Sequence, residues 1–328
     1  MPVISLCFSP GIQRSVILKA LVLGEVNRLQ SVAVDVSGKG INVARVLQRL
    51  GVETICLAQG GDNLHELAFL AQQEGLKVQF IASSGALRTC TTIIEQPAQG
   101  ARVVTELVEP TFAVDAACVA AMREAVQARL PTAQALVIAG SMAPGFPTDY
   151  QAQLALAAQK SGVPVLLDLH GAALRAALVA QPEVVKINLA EFASTLLGEE
   201  FQGGEHHGIL ATPEPSAALV KGILAVTRRF SATFVLTRGA KSVLLAQGDQ
   251  LRNIPIAPLA PAAVLNPIGS GDSFLAGMLA HLLRSGPFAS GEPIHLDRFA
   301  QAVKLATACA QSNARTLRPG FLEDSFAA

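Results

Sequence analysis

Short apolar segments of strand length alternate with segments of helical spacing along most of the chain, and this alternation constrains the fold more than any other feature. Val3–Phe8, Thr54–Ala58, Val78–Ala82, Ala135–Ala139, Val163–Asp168 and Val184–Ile187 are apolar runs of the kind that fill a buried sheet. Between them, Ile41, Val43, Val46, Leu47 and Leu50 make one helical stripe that ends at Gly51. Further helices are predicted over Leu64–Gln73, Val114–Arg129, Asp149–Lys160 and Leu189–Leu197. Strands joined through helices pair in parallel and need helices on both faces. The expected class is therefore α/β, with a mostly parallel central sheet in a three-layer α/β/α sandwich. Ligands of such sheets sit beyond the carboxyl ends of the strands.

Two regions break the rhythm. Ser31–Val36 alternates, with Val32, Val34 and Val36 on one face. Thr89–Gln96 and Arg102–Val108 are rich in Thr, Val and Ile and flank a turn at Pro97–Gly100, the pattern of a hairpin. No crossover helix lies within either region, so a small second sheet is expected from residues about 12–36 and 87–109, inserted in a single domain spanning 1–328. It would serve as a lid over an active site or as a dimer surface. Residues 203–215 read as a loop insertion without periodicity.

Composition narrows the function. The 328 residues are 51% hydrophobic and 15% charged, with 25 basic against 25 acidic side chains, so no polyanion-binding surface and no nucleic-acid partner are expected. Mean hydropathy is +0.42, yet no apolar run reaches the ~20 residues of a spanning helix. The best candidates are broken by Pro144, Asp168, His170 or Arg175. The N-terminus has no basic stretch ahead of its short apolar run, and the five cysteines are widely spaced without a C-x-x-C pair. A cytoplasmic protein with reduced thiols and no membrane association is the expectation.

Two glycine-rich turns carry the chemistry. Asn266-Pro-Ile-Gly-Ser-Gly-Asp-Ser-Phe-Leu-Ala-Gly277 runs from a turn into a helix whose apolar face is Phe274, Leu275, Met278, Leu279, Leu282 and Leu283. Such a turn offers unpaired N–H groups and the positive end of a helix dipole to an anion. Asp272 in that first turn reads either as a helix cap or as a base that takes a proton from a hydroxyl while the N–H groups hold a transferring phosphoryl group. The second turn, Ser37-Gly-Lys-Gly-Ile-Asn-Val-Ala44, flanks a lysine with glycines where a strand meets a helix. Neither is a Walker sequence, and Phe274 occupies the last glycine position of a G-x-G-x-x-G.

Together the two turns resemble the paired signatures of the ribokinase-like (PfkB) carbohydrate kinases. Gly24-Glu-Val-Asn-Arg28, Leu87-Arg-Thr89, Gly140-Ser-Met-Ala-Pro-Gly-Phe-Pro147, Lys186-Ile-Asn-Leu-Ala-Glu191 and Thr237-Arg-Gly-Ala240 follow in the family's order. The set is most similar to the phosphosugar branch, the 1-phosphofructokinase and tagatose-6-phosphate kinase group. The resemblance implies a ribokinase-like fold and ATP-dependent phosphorylation of a ketohexose phosphate, fructose 1-phosphate or tagatose 6-phosphate, with Mg²⁺ as cofactor. Asp272 would be the base, and the N–H groups of Gly269, Ser270 and Gly271 the anion hole. Gly38, Lys39, Gly40 and Asn42 would hold the sugar, Arg28 and Arg88 its existing phosphate, and Gly140 and Ser141 would close the same pocket. Lys186, Asn188, Thr237, Gly239 and Asn313 would contact ATP, with Asn313 on the adenine side. Asn188 and Glu191 would organise Mg²⁺ through water.

The chain also departs from the family. Ser9-Pro-Gly-Ile-Gln13 stands where Asn-Pro-Ala-x-Asp is usual, so the amide of Gln13 replaces a carboxylate beside the sugar hydroxyls. Ser37 replaces a glycine, Ile187 a proline, and His170 stands where a serine is common. A kinase of an unphosphorylated sugar or nucleoside, or a sensor without catalysis, is the alternative. Two lids pairing through their strand edges would make a homodimer.

Overall fold

A computed structural model describes residues 1–96, 102–197, 214–291 and 294–327. The turn expected at Pro97–Gly100 and most of the 203–215 loop, including its two histidines, lie outside the described residues. The strands, in chain order, are β1 (Val3–Cys7), β2 (Gly11–Leu18), β3 (Ser31–Ser37), β4 (Thr54–Gln59), β5 (Val78–Ile81), β6 (Arg88–Glu95), β7 (Val103–Val108), β8 (Ala135–Ala139), β9 (Val165–Asp168), β10 (Val184–Asn188), β11 (Thr233–Thr237), β12 (Ser242–Gln247) and β13 (Gln250–Pro255). The α-helices are α1 (Lys39–Arg49), α2 (Leu64–Gln73), α3 (Ala116–Gln127), α4 (Tyr150–Lys160), α5 (Gly171–Ala177), α6 (Leu189–Leu196), α7 (Ala217–Thr227), α8 (Ser270–Arg284) and α9 (Leu296–Ala314).

Nine strands form the main sheet in the order β13-β12-β11-β10-β9-β8-β1-β4-β5. From β5 to β11 every neighbouring pair is parallel. Strand alternation feeds two cores. Ile4, Leu6, Leu136 and Ile138 point to one face and pack with Met122, Tyr150, Leu174, Phe192 and Ile223. Val3, Ala135 and Val137 point to the other and pack with Val46, Leu47, Leu275, Met278 and Phe299. The expected α/β sandwich is what forms. Its far edge differs, because β12 and β13 are an antiparallel hairpin that turns at Gly248 and Asp249.

The second sheet has four strands in the order β3-β2-β6-β7. It contains β2, which falls within the stretch assigned to the small sheet but is not delimited there as a strand, running parallel to β6 and antiparallel to β3. Seven of its eight residues are buried, so the alternation that betrays an exposed strand is missing. Among the contacts that tie this sheet to the main body are two ionic or charge-assisted ones. Asp35 on β3 is paired with Arg318, and Arg102, just before β7, donates to the carbonyls of Ala262 and Val264 at 2.9 and 3.3 Å.

Candidate active site

Both glycine-rich turns lie beyond the carboxyl ends of the main strands, and close backbone approach explains their glycines. α1 opens directly against β1: a Cβ on Gly40 would stand 2.1 Å from the Leu6 carbonyl oxygen. Only a residue without a side chain lets the helix settle there, which delivers Lys39 and Asn42 over the sheet edge. α8 opens after Gly269, whose φ of 84° is left-handed and whose Cβ would stand 2.5 Å from the Gly320 nitrogen. Asn313, fully buried, clamps this turn. Its Nδ2 donates to the Ile268 carbonyl at 2.8 Å and to Ser270 Oγ at 3.2 Å, while its Oδ1 accepts from Gly320 N–H at 2.6 Å.

The first turn of α8 has no side-chain cap at Gly269, so its N–H groups keep their capacity for an anion. The Ser270 N–H spends part of its own on the Pro267 carbonyl at 3.2 Å. Lys186 Nζ packs over Gly271, 2.9 Å from where a Cβ would be. A cation and a helix N-terminus therefore meet at one point.

Asp272 does not cap its helix in the manner of an N-cap residue. Its carboxylate is buried and its Oδ2 accepts from Asn42 Nδ2 at 2.8 Å. Burial pushes the Asp272 carboxyl up, and Asp168 adds to this, while Lys39, the Asn42 amide and Lys186 oppose it. Asp168, at the end of β9, lies between the two lysines, 2.8 Å from Lys186 Nζ and 3.5 Å from Lys39 Nζ. Although burial works against its charge, those lysines hold its carboxyl below the usual range. Asp168 in turn holds Lys39 well above an ordinary lysine. The result is an alternating array of two carboxylates and two ammonium groups.

Two cavities meet here. One, of about 290 Å³, is polar and lies between the two sheets. Gln13, Arg88 and Glu106 line it from the small sheet, and Lys39, Lys186 and Asp272 from the main body. The other, of about 370 Å³, is apolar and is lined by Val243, Leu259, Phe274, Thr307 and Ala310 among others. Gly271 lines both. An apolar cleft joined to a cationic pocket at a helix N-terminus can hold a nucleotide base and deliver its phosphates to an acceptor beside Asp272.

Compared with known protein families, residues 11–321 match the pfkB family carbohydrate kinase description. The chain belongs to the pfkB family of carbohydrate kinases. Among solved structures it resembles a possible 1-phosphofructokinase from Thermotoga maritima, with a TM-score of 0.80, 20% identity, and 99% of this chain and 95% of that one covered. It also resembles phosphofructokinase-2 from Escherichia coli in complex with fructose-6-phosphate, with a TM-score of 0.77, 22% identity, and coverage of 95% and 93%. The tetrameric inhibited form of that enzyme gives 0.75 at 21% identity, covering 95% and 94%. At such identity these likenesses establish the fold of the pfkB kinases.

The residues singled out by the pfkB pattern divide into two groups. Gln13, Gly38, Lys39, Asn42, Arg88, Lys186, Gly269, Gly271 and Asp272 line the polar cavity, and Thr237, Gly239, Ser270 and Gly271 the apolar one. Gly40 acts from beneath, through the close approach to β1. The others sit elsewhere. Arg28 is exposed in the loop between β2 and β3 and lines neither cavity; Ser141 is likewise exposed and outside them. Asn313 lines neither cavity, and both ends of its amide are engaged under the Gly269 turn. From the same helix, Thr307, Ala310, Gln311 and Ala314 line the apolar cavity instead. Asn188 and Glu191 form a reciprocal capping box at the start of α6, with Asn188 Oδ1 accepting from Glu191 N–H at 2.8 Å and Glu191 Oε2 accepting from Asn188 N–H at 3.4 Å.

Two site residues were not singled out by the sequence. Asp168 was legible only as the carboxylate closing an apolar strand, a position where α/β sheets place functional groups. Glu106 is on β7 directly opposite Thr92, whose Oγ1 accepts from Gln13 Nε2 at 2.9 Å. Pairing and alternation together bring it to the face of Gln13, but only once β2 is known to be a strand.

Proposed function

We propose that this pfkB kinase transfers the γ-phosphoryl group of ATP to a hydroxyl of a ketohexose phosphate, fructose 1-phosphate or tagatose 6-phosphate, giving the bisphosphate and ADP. One observation carries the reading: a buried carboxylate, Asp272, borders a cationic polar cavity at the point where Gly271 joins that cavity to an apolar cleft. Asp272 takes the proton of the acceptor hydroxyl as the oxygen attacks the γ-phosphorus, and the bond from that phosphorus to the ADP oxygen breaks. Lys186 and the first-turn N–H groups of α8 bear the charge in transit. Arg88 is the residue for the substrate's own phosphate. Its Nη2 donates to the Ser9 carbonyl at 3.1 Å while its buried Nε has no partner among the described residues, a donor left for a ligand.

The residues present suit Mg²⁺ as an outer-sphere guest. Among the described residues no three His, Cys, Asp or Glu side chains gather as a ligand set, and Asp168 is spent on lysines. Glu191, close enough to Lys39 to act on its charge, would hold the ion's waters, as befits a cation that keeps its hydration and binds nucleotide phosphates. Bound there, Mg²⁺ would neutralise phosphate charge.

The specificity is tested by ADP release, coupled to an optical readout, across fructose 1-phosphate, fructose 6-phosphate, tagatose 6-phosphate and the neutral sugars. Turnover confined to neutral sugars, or binding of ATP and sugar without ADP, would replace the phosphosugar reading with one of its alternatives. We further propose that two copies associate through the small sheet. Its two edge strands expose Val32 and Val34 on β3 and Val103, Leu107 and Val108 on β7, apolar side chains on strand edges that have no partner among the described residues. A monomeric mass by light scattering would remove that proposal.

A further inference from the structure

We infer that Arg45 is a positioning residue for the transfer chemistry: its guanidinium fixes the Asn42 amide so that the NH₂ end faces Asp272. The inference rests on the reading of Asp272 as the base. Arg45 lies on α1, one turn beyond Asn42, and is 6% exposed. Its Nη1 donates to Asn42 Oδ1 at 2.9 Å and to the Pro319 carbonyl at 3.2 Å, its Nη2 to the Val36 carbonyl at 2.5 Å, and its Nε to Glu74 Oε2 at 2.7 Å. The ring of Phe321 closes one face, 4.4 Å from the guanidinium carbon. The side chain is therefore held on every side by groups from β3, α1, α2 and the C-terminal turn.

The two ends of an asparagine amide are nearly the same size and differ only in hydrogen bonding. A guanidinium has five donors and no acceptor, so the Asn42 atom that faces Arg45 must be the oxygen. The nitrogen is then left for Asp272, at 2.8 Å. With the amide reversed, an oxygen would confront the Asp272 carboxylate and an NH₂ would confront the guanidinium, and both contacts would be repulsive. Ser37 Oγ lies 3.4 Å from the same Asn42 oxygen as a second donor, at the position where the resemblance leads one to expect glycine. A donor fixed on one oxygen of Asp272 favours its ionised form and orients the other oxygen.

The groups that face Asp272 from the surrounding elements are Lys39 and Asn42 on α1, Asp168 from β9 and Lys186 from β10. Of these, Asn42 is the one whose orientation Arg45 sets. Glu74, at the end of α2, keeps Arg45 in place. Burial pushes its carboxyl up, and Arg45 opposes this. The chain Glu74–Arg45–Asn42–Asp272 thus runs from the outer helix layer to the reacting atoms.

The test compares wild type, Arg45→Met, Arg45→Lys and Asp272→Asn, using ATP and whichever sugar phosphate the ADP-release assay selects. It records pH profiles of kcat/KM and thermal unfolding for each. Arg45→Met is expected to lower kcat by about tenfold to a hundredfold, to leave the KM for ATP within about twofold, and to move the acid limb up by about one pH unit. Arg45→Lys keeps a cation for Glu74 but loses the fork that reaches Asn42. It carries the same test, with the same direction of change, if the Met variant does not fold. A folded Arg45 variant with a wild-type acid limb and kcat, beside an inactive Asp272→Asn, overturns the positioning role and leaves the base standing. Near-wild-type turnover by Asp272→Asn removes the base, and the role of Arg45 with it.

Discussion

Asp168→Asn keeps the outline of the side chain and deletes the negative charge between two lysines. The structure says which of the two pairs dominates the cost. Lys186 Nζ is 2.8 Å away with its side chain 8% exposed, whereas Lys39 Nζ is 3.5 Å away with its side chain 43% exposed. The half-exposed pair is worth about 0–1 kcal/mol; removing one partner of a buried pair costs about 3–5 kcal/mol, because the survivor is left charged without water. The loss is therefore about 3–5 kcal/mol and comes almost wholly from Lys186. At ~2.1 cal/mol/K of unfolding entropy per residue, a chain of this length loses about 4–7 °C in Tm. The pH dependence has a definite sign. Asp168 is depressed in the fold, so its contribution is complete above the unfolded carboxyl pKa and fades only as pH falls through and below about 4. The Tm gap should be full at pH 7 and narrow in acid, as read by scanning calorimetry at both. Activity adds a second sign. Asp168 helps raise Asp272, so its removal should shift the acid limb of kcat/KM to lower pH. A Tm within 1 °C of wild type at pH 7 (roughly a fifth of the expected loss), or a limb that moves upward, would refute the reasoning.

Three further outcomes follow from single contacts. Arg88→Ala should raise the KM for a sugar phosphate by about tenfold to a hundredfold, the worth of a hydrogen bond to a charged group, and leave neutral sugars untouched; equal loss on both would assign Arg88 to the fold instead. Lys39→Met removes the cation that chiefly opposes the upward push on Asp272, so the acid limb should move to higher pH, and an unmoved limb would contradict the electrostatic account. Gly40→Ala places a methyl 2.1 Å from the Leu6 carbonyl oxygen, which should cost about 1–3 kcal/mol of stability and displace Lys39 and Asn42; a stable, fully active variant in thermal melts and turnover assays would show that α1 can shift freely.

The layers of this fold were legible because buried parallel strands are short apolar runs and their helices carry periodic stripes. Both strands of the β6–β7 pair showed instead in their Thr, Val and Ile content, the residue types that favour strands. β2 was not legible, since Ile12, Gln13, Ser15, Val16 and Ile17 are all buried and no alternation marks the strand. That Asp272, Lys39 and the glycines gather at one cavity was legible because glycine-rich turns open helices at both places, and Lys186 was legible through the family resemblance. The settings of Arg28 and Asn313 were not legible because sequence order says nothing about reach: one sits on an exposed loop, the other turns inward from α9 and spends its amide on the Gly269 turn. Asp168 and Glu106 depend on partners 129 residues and 14 residues away, and such pairings exist only after the sheets assemble. Asn188 and Glu191 gave the right spacing for two uses at once, an ion's water shell and a capping box, and the geometry displays the second.

The central claim is that Asp272 deprotonates the acceptor. Its most direct test is kcat for Asp272→Asn on the preferred sugar phosphate, with ATP and sugar-phosphate affinities measured by calorimetry on the same preparation. The account predicts a fall of about 10²–10⁴ in kcat, the usual worth of a general base, with both affinities within about threefold of wild type. Turnover close to wild type with both affinities intact would contradict it.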